Sequence, residues 1–386
     1  MDFSFTEEQN MIRDSLSRLI KDQYDWETRN KVITSESGWR PEMWAQFAEL
    51  GLLMAPFSEE DGGLGGNAVD AMVVMEEFGK GLVIEPYMPS VVLGGGFLKH
   101  GGSAAQKENH LASLMGGEEI FAFAYGEPTS RFNLNDVSTT AKANGSSYVL
   151  NGHKCVVYGA PWATHLIVTA RTSGDRFDTN GISVFIVDKS SQGITTRDYP
   201  TMDGFRASEV YFENVEVSGD NMIGEEGSAL PLIEKVTDEG IAAICAEACG
   251  AMEIANADTV EYAKARKQFN VPISSFQVLQ HRMVDMFIEH QQSISMTYQV
   301  TLRLDEDDVT RKKAASAAKV QIGKSGRFVG QAATQIHGGM GVTDELRLGH
   351  YFKRMTLIDS QFGNVDHHLR RYTNLAESAD VLAAAE

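Results

Sequence analysis

The stretch "EYAKARKQFNVPISSFQVLQHR", residues 261–282, joins two helical patterns through a short loop that contains a proline. Arg266, Lys267 and Phe269 are predicted to close the first helix, and Gln277 is predicted to open the second. This arrangement places a cation, an aromatic ring and an amide close together at the end of a helical hairpin. Such a group of side chains is typical of a surface that binds a nucleotide cofactor.

A second stretch, "QIHGGMGVTDE" at residues 335–345, complements the first. Gln335 ends a helical pattern, and Gly338, Gly339 and Gly341 follow it, so that the backbone there can approach a ligand closely. A diphosphate needs a cation and exposed N–H donors, and an adenine or flavin ring needs an apolar platform. The two stretches together supply both, although each one alone favours a plainer interpretation, a solvated helix end or a helix C-cap.

Composition limits the class of protein. The chain has 386 residues, 42% of them hydrophobic, which suffices for two or three domains with sizeable cores. A formal charge of −19 disfavours a general nucleic-acid or anionic-membrane surface. No apolar run reaches the roughly 18 residues of a membrane span, and the start "MDFSFTEEQN" is unlike a signal peptide. We therefore expect a cytoplasmic protein without nucleic-acid or membrane partners.

Three regions follow one another along the chain. Residues 1–117 are predicted to be helical, because apolar residues recur at three- and four-residue spacing in "FTEEQNMIRDSLSRLIKDQY", "RPEMWAQFAELGLL" and "NAVDAMVVMEEFGKGL". Residues 118–226 are predicted to form a compact β domain, because β-branched and alternating residues recur in five stretches: "FAFAYGE", "SSYVLNGHKCVVY", "HLIVTART", "GISVFIVD" and "EVYFENVEV". Residues 227–386 return to long helices with small residues at helical spacing, which predicts a packed helical bundle.

The segments "LGLLMAPFSEEDGGLGG", "MEEFGKG", "YVLNGHK", "YAKARKQF", "SSFQVLQHR" and "QIHGGMG" occur in an order and spacing that resemble the acyl-CoA dehydrogenase family over nearly the whole chain. The resemblance implies an α+β multi-domain fold with an N-terminal α-helical domain, a middle β-barrel-like domain and a C-terminal four-helix bundle. It also implies FAD as cofactor, a tetramer built as a dimer of dimers, and α,β-dehydrogenation of an acyl-CoA substrate. The expected electron acceptor is an electron-transfer flavoprotein or a similar protein.

Within this resemblance, the catalytic base is the principal departure. The family usually has a Glu-Gly-Thr after the glycine-rich turn, with the Glu as base, and this chain has Phe362, Gly363 and Asn364 there. A second branch of the family places its Glu at the position of Gly240. Glu247 shares a helix face with Gly240, two turns further on, and is the candidate catalytic base. It is equally suited to be a structural acid in the bundle.

The flavin pocket of the middle domain also differs from the family pattern. Phe132 stands where the family has a Ser, and Val156 and Tyr158 replace a Trp and a hydroxyl residue. The residues that would serve a neighbour's FAD, such as Arg266 and Phe269, are retained. This combination resembles the small subunit of heteromeric α2β2 enzymes of lipid metabolism, which act on pimeloyl-CoA-like or steroid side-chain CoA esters during β-oxidation.

Two alternatives remain open at the level of sequence. One is a self-sufficient homotetramer that uses Glu247 or Asp366 as base, and the other is a non-catalytic CoA-ester-binding scaffold that lacks flavin. We expect no metal site, because Cys245 and Cys249 share a helix face without a third ligand at a suitable spacing. The adjacent histidines near the C-terminus are expected to mark a helix start or an interface, and "GGLGG" at residues 62–66 is expected to be a plain loop rather than a phosphate cradle.

Overall fold

The computed structural model of the chain describes residues 5–383. Its α-helices, numbered in chain order, are α1 Glu7–Gln23, α2 Trp26–Ile33, α3 Pro41–Glu49, α4 Ala68–Gly81, α5 Gly95–Gly101, α6 Ala104–Gly116, α7 Leu230–Ala265, α8 Gln277–Leu302, α9 Asp308–His337, α10 Leu348–Ser360 and α11 Val365–Ala383. Its strands are β1 Phe121–Ala124, β2 Thr140–Asn144, β3 Ser147–Tyr158, β4 His165–Arg171, β5 Ile182–Asp188, β6 Ile194–Pro200, β7 Arg206–Ser218, β8 Met222–Ile223, β9 Lys267–Gln268 and β10 Val271–Pro272.

The first helix shows how the local sequence sets an element boundary. Thr6 accepts a hydrogen bond from the backbone N–H of Gln9 at 3.2 Å, and the Gln9 side chain accepts one from the Thr6 N–H at 3.1 Å. This reciprocal pair satisfies two N–H groups that have no partner within the helix. Ser103 and Gln106 form the same pair at the start of α6. Both helices therefore begin where side chains cap them.

The chain separates into two compact units. The bundle unit comprises the described residues within 1–31, 68–83 and 241–386, and the sheet unit comprises residues 32–67 and 84–240. In the bundle unit, α9 packs against α8, α10 and α11, and α1 packs against α4. In the sheet unit, α3 packs against α6, and the π-helical segment Met88–Gly94 packs against β1.

Two glycines allow α4 and α7 to cross closely in the bundle unit. A Cβ atom on Gly79 would overlap the backbone carbonyl of Glu247, and a Cβ atom on Gly250 would overlap that of Glu76. Backbone therefore packs directly on backbone at this crossing, which leaves no space for any side chain larger than hydrogen. Gly250 lies in the region where small residues predict close helix packing, whereas Gly79 lies outside that region.

From Ile241 onward, helix α7 belongs to the bundle unit and contributes many buried apolar side chains to it. It is the one helix among residues 5–383 that is long and apolar enough to cross a membrane by length and composition, but 78% of its most apolar window is buried within the fold. Cys245 and Cys249 lie on its buried face, where burial raises the pKa of Cys245 to about 12 and raises that of Cys249 further. The two thiols therefore stay protonated, as suits structural residues rather than metal ligands.

The sheet unit contains one eight-stranded sheet with the order β6-β7-β3-β2-β4-β5-β8, and β1 pairs in parallel with β4. The longest pairing is the antiparallel one between β3 and β7. The alternating patterns correctly predicted β1, β3, β4, β5 and β7. Strands β2 and β6 escaped prediction because most of their side chains are polar and exposed.

The order of helical, β and helical regions confirms the predicted fold class. The proposed limits of three domains, at 1–117, 118–226 and 227–386, stay a prediction. The two compact units do not follow those limits, because segments 68–83 and 241–386 fall in one unit although the sequence separates them widely.

Candidate functional site

A tight hairpin follows α7 at the first predicted cofactor stretch. Strands β9 and β10 pair around a two-residue loop, in which Phe269 and Asn270 have φ values of 53° and 66°. Two consecutive left-handed residues form a type I′ turn, which suits the twist of a hairpin. The helix therefore ends at Ala265, and Arg266, Lys267 and Phe269 lie beyond it rather than closing it as predicted. The turn points Phe269 outward, and 87% of the residue is exposed.

The second stretch forms a bare glycine turn after α9. Gly338 has a φ of 62°, and a Cβ atom added to Gly338 or Gly339 would meet no atom within 4 Å. The backbone here is thus open to a ligand on the outside. Gly341 differs from them, because a Cβ atom there would lie 2.7 Å from the carbonyl oxygen of Thr334. Gly341 is needed for packing of the turn against α9.

Tyr262 and His337 connect the two stretches within the bundle unit. Their rings stack with centroids 4.2 Å apart, and the Tyr262 hydroxyl donates to the His337 carbonyl oxygen at 3.3 Å. The backbone N–H of Arg266 in turn donates to the Tyr262 carbonyl oxygen at 2.8 Å. The structure therefore brings the end of α7 and the glycine turn together, although about seventy residues separate them in the sequence.

The polar side chains of this surface point to solvent. Arg266, Gln277 and Gln335 are all exposed, and Gln277 is the first residue of α8, as predicted. The Arg266 guanidinium has no hydrogen-bond or ion-pair partner among residues 5–383. An available cation, two amides, a bare backbone turn and an exposed ring fit the diphosphate and ring of a dinucleotide. We name this surface the nucleotide face; it consists of Arg266, Phe269, Gln277, Gln335 and the glycines at 338, 339 and 341.

The turn at position 362 is held by hydrogen bonds from a buried lysine side chain to main-chain carbonyl oxygens. The ammonium group of Lys319 donates to the carbonyl oxygens of Ile358, Asp359 and Gly363 at 2.6, 2.9 and 2.9 Å. Lys319 is fully buried, and this burial lowers the pKa of its amine to about 8. Three carbonyl acceptors are what a buried lysine requires to replace water. The lysine thereby fixes the end of α10 and the turn that follows it.

Phe362 occupies this turn in a left-handed conformation, with a φ of 57°. Its side chain is 7% exposed, and its carbonyl oxygen accepts a hydrogen bond from His368 Nε2 at 3.1 Å. The Nδ1 atom of His368 lies 3.4 Å from Ser316 Oγ. Burial lowers the pKa of His368 to about 2, so that this imidazole is neutral at physiological pH. The histidine at 368 therefore holds the start of α11 in place.

Glu247, the candidate base, is paired inside the bundle unit. Its two carboxylate oxygens accept hydrogen bonds from Nε and Nη2 of Arg354 at 2.5 and 2.6 Å. This contact favours the structural alternative named above, while the catalytic role of Glu247 stays a prediction. Asp366, the other candidate, is exposed in the first turn of α11, where an acid stabilises a helix.

The sheet unit holds the three positions that differ from the family's flavin pocket. Val156 has a φ of 52°, and it lies in a bulge where the pairing of β3 with β7 shifts between Lys154 and Val157. A β-branched residue rarely adopts this conformation, and the bulge turns its side chain outward. Tyr158 ends β3, and Phe132 lies in the turn-rich segment before β2. The register shift thus lies at the position where the resemblance expects a Trp.

Sequence reasoning missed a buried ionic cluster next to Gly240. Glu239 accepts from Lys99 Nζ at 3.2 Å and lies 2.6 Å from His100 Nε2. Burial opposes ionisation of this carboxyl group, but the His100 hydrogen bond and the Lys99 charge hold the pKa of Glu239 below its ordinary value. No local pattern in the sequence signals the cluster, because its members come from α5 and from the first part of α7.

The "GGLGG" segment lies beside an acidic cleft in the sheet unit. The cleft has a volume of about 870 Å³, and Gly62 is part of its lining. Four acids also line it, Glu49, Glu60, Asp61 and Glu108. The ammonium group of Lys107 is already paired with Asp61 at 2.8 Å. Such a lining repels phosphate, which supports the interpretation of this segment as a plain loop.

Comparison with known proteins connects the geometry to a family. Domain models of acyl-CoA dehydrogenases match the chain at residues 6–118 for the N-terminal domain, 122–215 for the middle domain and 230–371 for the C-terminal domain. The chain belongs to the acyl-CoA dehydrogenase family. It is thus an oxidoreductase that acts on CH–CH groups, and FAD is its cofactor. The donors of the nucleotide face fit the diphosphate of that cofactor.

Individual family members resemble the chain over most of its length. It is 33% identical to the probable acyl-CoA dehydrogenase YngJ of Bacillus subtilis (strain 168) over 350 residues, 89% of this chain and 91% of that protein. The structure of the Tcur3481-Tcur3483 steroid ACAD variant is 25% identical, with a TM-score of 0.88 over 97% of this chain and 99% of that one. The FAD complex of PigA is 26% identical, with a TM-score of 0.89 over 97% and 98%.

Proposed function

We propose that this chain is one subunit of a heteromeric acyl-CoA dehydrogenase and that it shares FAD with a catalytic partner subunit. The observation that carries the proposal is the residue at position 362, where the family resemblance expects a carboxylate. Phe362 has a ring that neither accepts a proton nor carries charge. Its backbone is fixed by the His368 hydrogen bond. The expected base is therefore absent from a turn that is otherwise well formed.

Three other carboxylates of this chain are poorly placed to act as the general base. Both oxygens of Glu247 are occupied by Arg354, and Glu239 is held by Lys99 and His100. Asp366 is exposed on α11. A general base must reach the proton that it removes and must have an oxygen free to take it. These contacts support the proposal that the partner subunit supplies the general base.

The nucleotide face supports the proposal that FAD is shared between two subunits. Its Arg266 guanidinium has no partner within the described part of the chain, and Phe269 projects almost fully into solvent. In the family, these positions mainly serve the diphosphate and adenosine of a neighbour's FAD. An exposed ring and an available cation are what such a shared site would need from this subunit.

The chemistry divides between cofactor and protein. FAD, when bound, accepts the hydride that leaves the β-carbon of the acyl-CoA thioester. We assign binding of the diphosphate to Arg266 and to the N–H groups of Gly338 and Gly339, and polar contacts to Gln277 and Gln335. Electrons would pass to an electron-transfer flavoprotein or a similar acceptor. We place the complex in the cytoplasm.

The substrate class follows from the subtype. We propose a bulky or dicarboxylic acyl-CoA ester, of the steroid side-chain or pimeloyl type. The similarity to the Tcur3481-Tcur3483 steroid ACAD supports this choice. The residue at position 240 is a glycine, which leaves room where a second branch of the family places a Glu.

Expression of the chain alone and together with the product of the adjacent gene tests the proposal. We expect the lone chain to hold less than one FAD per chain and to leave the flavin unbleached by acyl-CoA. The joint preparation should contain an α2β2 complex with bound FAD that is bleached. A lone chain that holds one FAD per chain and oxidises acyl-CoA at a normal rate would overturn the proposal and favour the self-sufficient homotetramer. A complex without flavin would favour the scaffold.

A further inference from the structure

Three side chains from separate parts of the sheet unit meet at one place. His110 lies in α6, Glu119 lies in the linker between α6 and β1, and His165 begins β4. Each offers one ligand atom, and these three atoms lie within 4.8 Å of one another. His110 Nδ1 lies 2.8 Å from Glu119 Oε2. No local pattern in the sequence groups these residues, and the sequence alone predicts no metal site.

The ring of Phe121 packs against both imidazoles. The rings of His110 and His165 have centroids 5.3 Å apart. The ring of Phe121 stacks on His165 at 5.3 Å and meets His110 edge-on at 5.8 Å. Phe121 is fully buried, so its ring is held in a fixed position beside the two imidazoles. Packing of this kind fixes imidazole orientation before any ligand arrives.

The cluster is only partly accessible. The side chains of His110 and Glu119 are 16% and 21% exposed. The three donors therefore lie at the surface end of a packed region, with solvent on one side. A metal held by three protein ligands would have a fourth position for water. Partial burial also strengthens the attraction between a cation and its ligands relative to open solvent.

The charges around the cluster favour a cation. Glu119 and Asp188 are the charged groups that act on His165 besides His110, and both are acidic. Asp188 stands opposite His165 in the pairing of β4 with β5. Thr164 Oγ1 lies 3.0 Å from His165 Nδ1, a contact that restrains the orientation of the ring.

We propose that His110, Glu119 and His165 form a binding site for a divalent transition-metal ion, preferentially zinc. Two imidazoles and one carboxylate are a ligand set that zinc accepts, whereas calcium and magnesium require oxygen ligands throughout. Donor-to-metal distances of roughly 2.0–2.2 Å require the widest donor pairs to contract by about 1 Å, which partly exposed side chains permit. The ion would link α6 to the first residues of β4, and water would occupy its fourth position. It is independent of FAD binding.

Metal analysis of the full-length protein tests the site. After removal of metal with a chelator, the protein is titrated with zinc, and bound zinc per chain is measured by mass spectrometry. A parallel titration with cobalt reports nitrogen and oxygen ligation through its visible absorption. We expect one ion per chain and a higher melting temperature with the ion than without it. His165→Ala and Glu119→Gln should each weaken binding by more than about tenfold and leave the flavin content unchanged.

His153 provides a matched control. It lies 2.6 Å from Glu209, so that it is also an acid-paired histidine of the sheet unit, but no third metal-binding group accompanies it among residues 5–383. His153→Ala should leave zinc binding unaltered. Failure of the unmodified protein to bind one ion, or equal binding by the unmodified protein and both site variants, would overturn the proposal. If His165→Ala does not fold, Glu119→Gln decides the question, because its amide preserves the volume of the side chain.

Discussion

Glu247 of α7 and Arg354 of α10 form a two-bond ion pair whose side chains are each 3% exposed. Nε and Nη2 of the guanidinium donate to separate carboxylate oxygens, the geometry in which arginine binds a carboxylate most tightly. A pair of buried charges at this depth is stable only while both members are present. The residue that sequence reasoning selected as a base thus depends on a partner that sequence reasoning did not name.

Removal of one member of the pair should destabilise the protein. Glu247→Gln leaves the Arg354 charge buried without a counter-charge, and we expect the free energy of unfolding to fall by about 3–5 kcal/mol. The double variant Glu247→Leu with Arg354→Met should lose less, because no charge then remains buried. Urea unfolding of the three proteins measures both effects. A stable Glu247→Gln protein that binds FAD but is no longer bleached by acyl-CoA would instead identify Glu247 as the base.

The crossing of α4 and α7 should tolerate no side chain. Gly79→Ala and Gly250→Ala each place a Cβ atom on a backbone carbonyl of the other helix, and we expect each to lower the free energy of unfolding by about 1–3 kcal/mol or more. Gly116→Ala is the matched control, since its Cβ atom would lie 3.7 Å from the nearest atom, in Glu118. Equal stability of the Gly79 and Gly116 variants would contradict the close crossing.

Acid should unfold the protein partly through its C-terminal histidines. Burial lowers the pKa of His367 to about 4 and that of His368 to about 2, from an ordinary value of 6.5. Below pH 6.5 the unfolded chain takes up protons that the folded chain does not, so stability falls as the pH falls. Between pH 6 and pH 4 each histidine should contribute up to about 1.4 kcal/mol per pH unit. Unfolding free energies measured across this range give the slope.

Replacement of His368, the more deeply buried of the two histidines, measures its contribution to the slope of unfolding free energy against pH. In His368→Gln the amide can still donate to the Phe362 carbonyl oxygen but does not titrate. The number of protons taken up on unfolding in acid should therefore fall by about one. An unchanged slope would mean that other groups cause the acid sensitivity.

The nucleotide face should affect cofactor binding without affecting the fold. Arg266→Ala removes the cation proposed for the diphosphate, and we expect FAD affinity of the complex to fall by about tenfold or more. The free energy of unfolding should change by less than about 0.5 kcal/mol, because Arg266 is exposed and has no partner within residues 5–383. Lys264→Ala is the control, since Lys264 is an exposed lysine two residues earlier that pairs with Glu261. Equal FAD affinity of both variants would exclude Arg266 from the site.

The predictive value of the sequence differed between elements. Periodic apolar residues correctly predicted α1, α3 and α4. The hairpin after α7 was missed, because type I′ turns usually carry Asn-Gly, whereas this turn uses Phe269 and Asn270. Phe269 is a bulky residue in a left-handed conformation, and the local sequence does not signal that conformation.

Residues that meet only in the folded chain explain the rest. Lys319 stands in "AASAAKVQIGK", where a lysine is typical of a solvated helix face, yet it is fully buried. His110, Glu119 and His165 come from a helix, a linker and a strand. Their proximity is a property of the tertiary structure, and one sequence without its fold gives no sign of it.

The turn after α10 has a consequence for how such chains diverge. Lys319 and His368 hold it through carbonyl oxygens of the main chain, and those bonds do not depend on which side chain stands at position 362. One replacement at that position can therefore remove or supply a carboxylate while the scaffold around it persists. After a gene duplication, two copies with the same architecture can specialise into a chemically active and an accessory subunit through very few mutations.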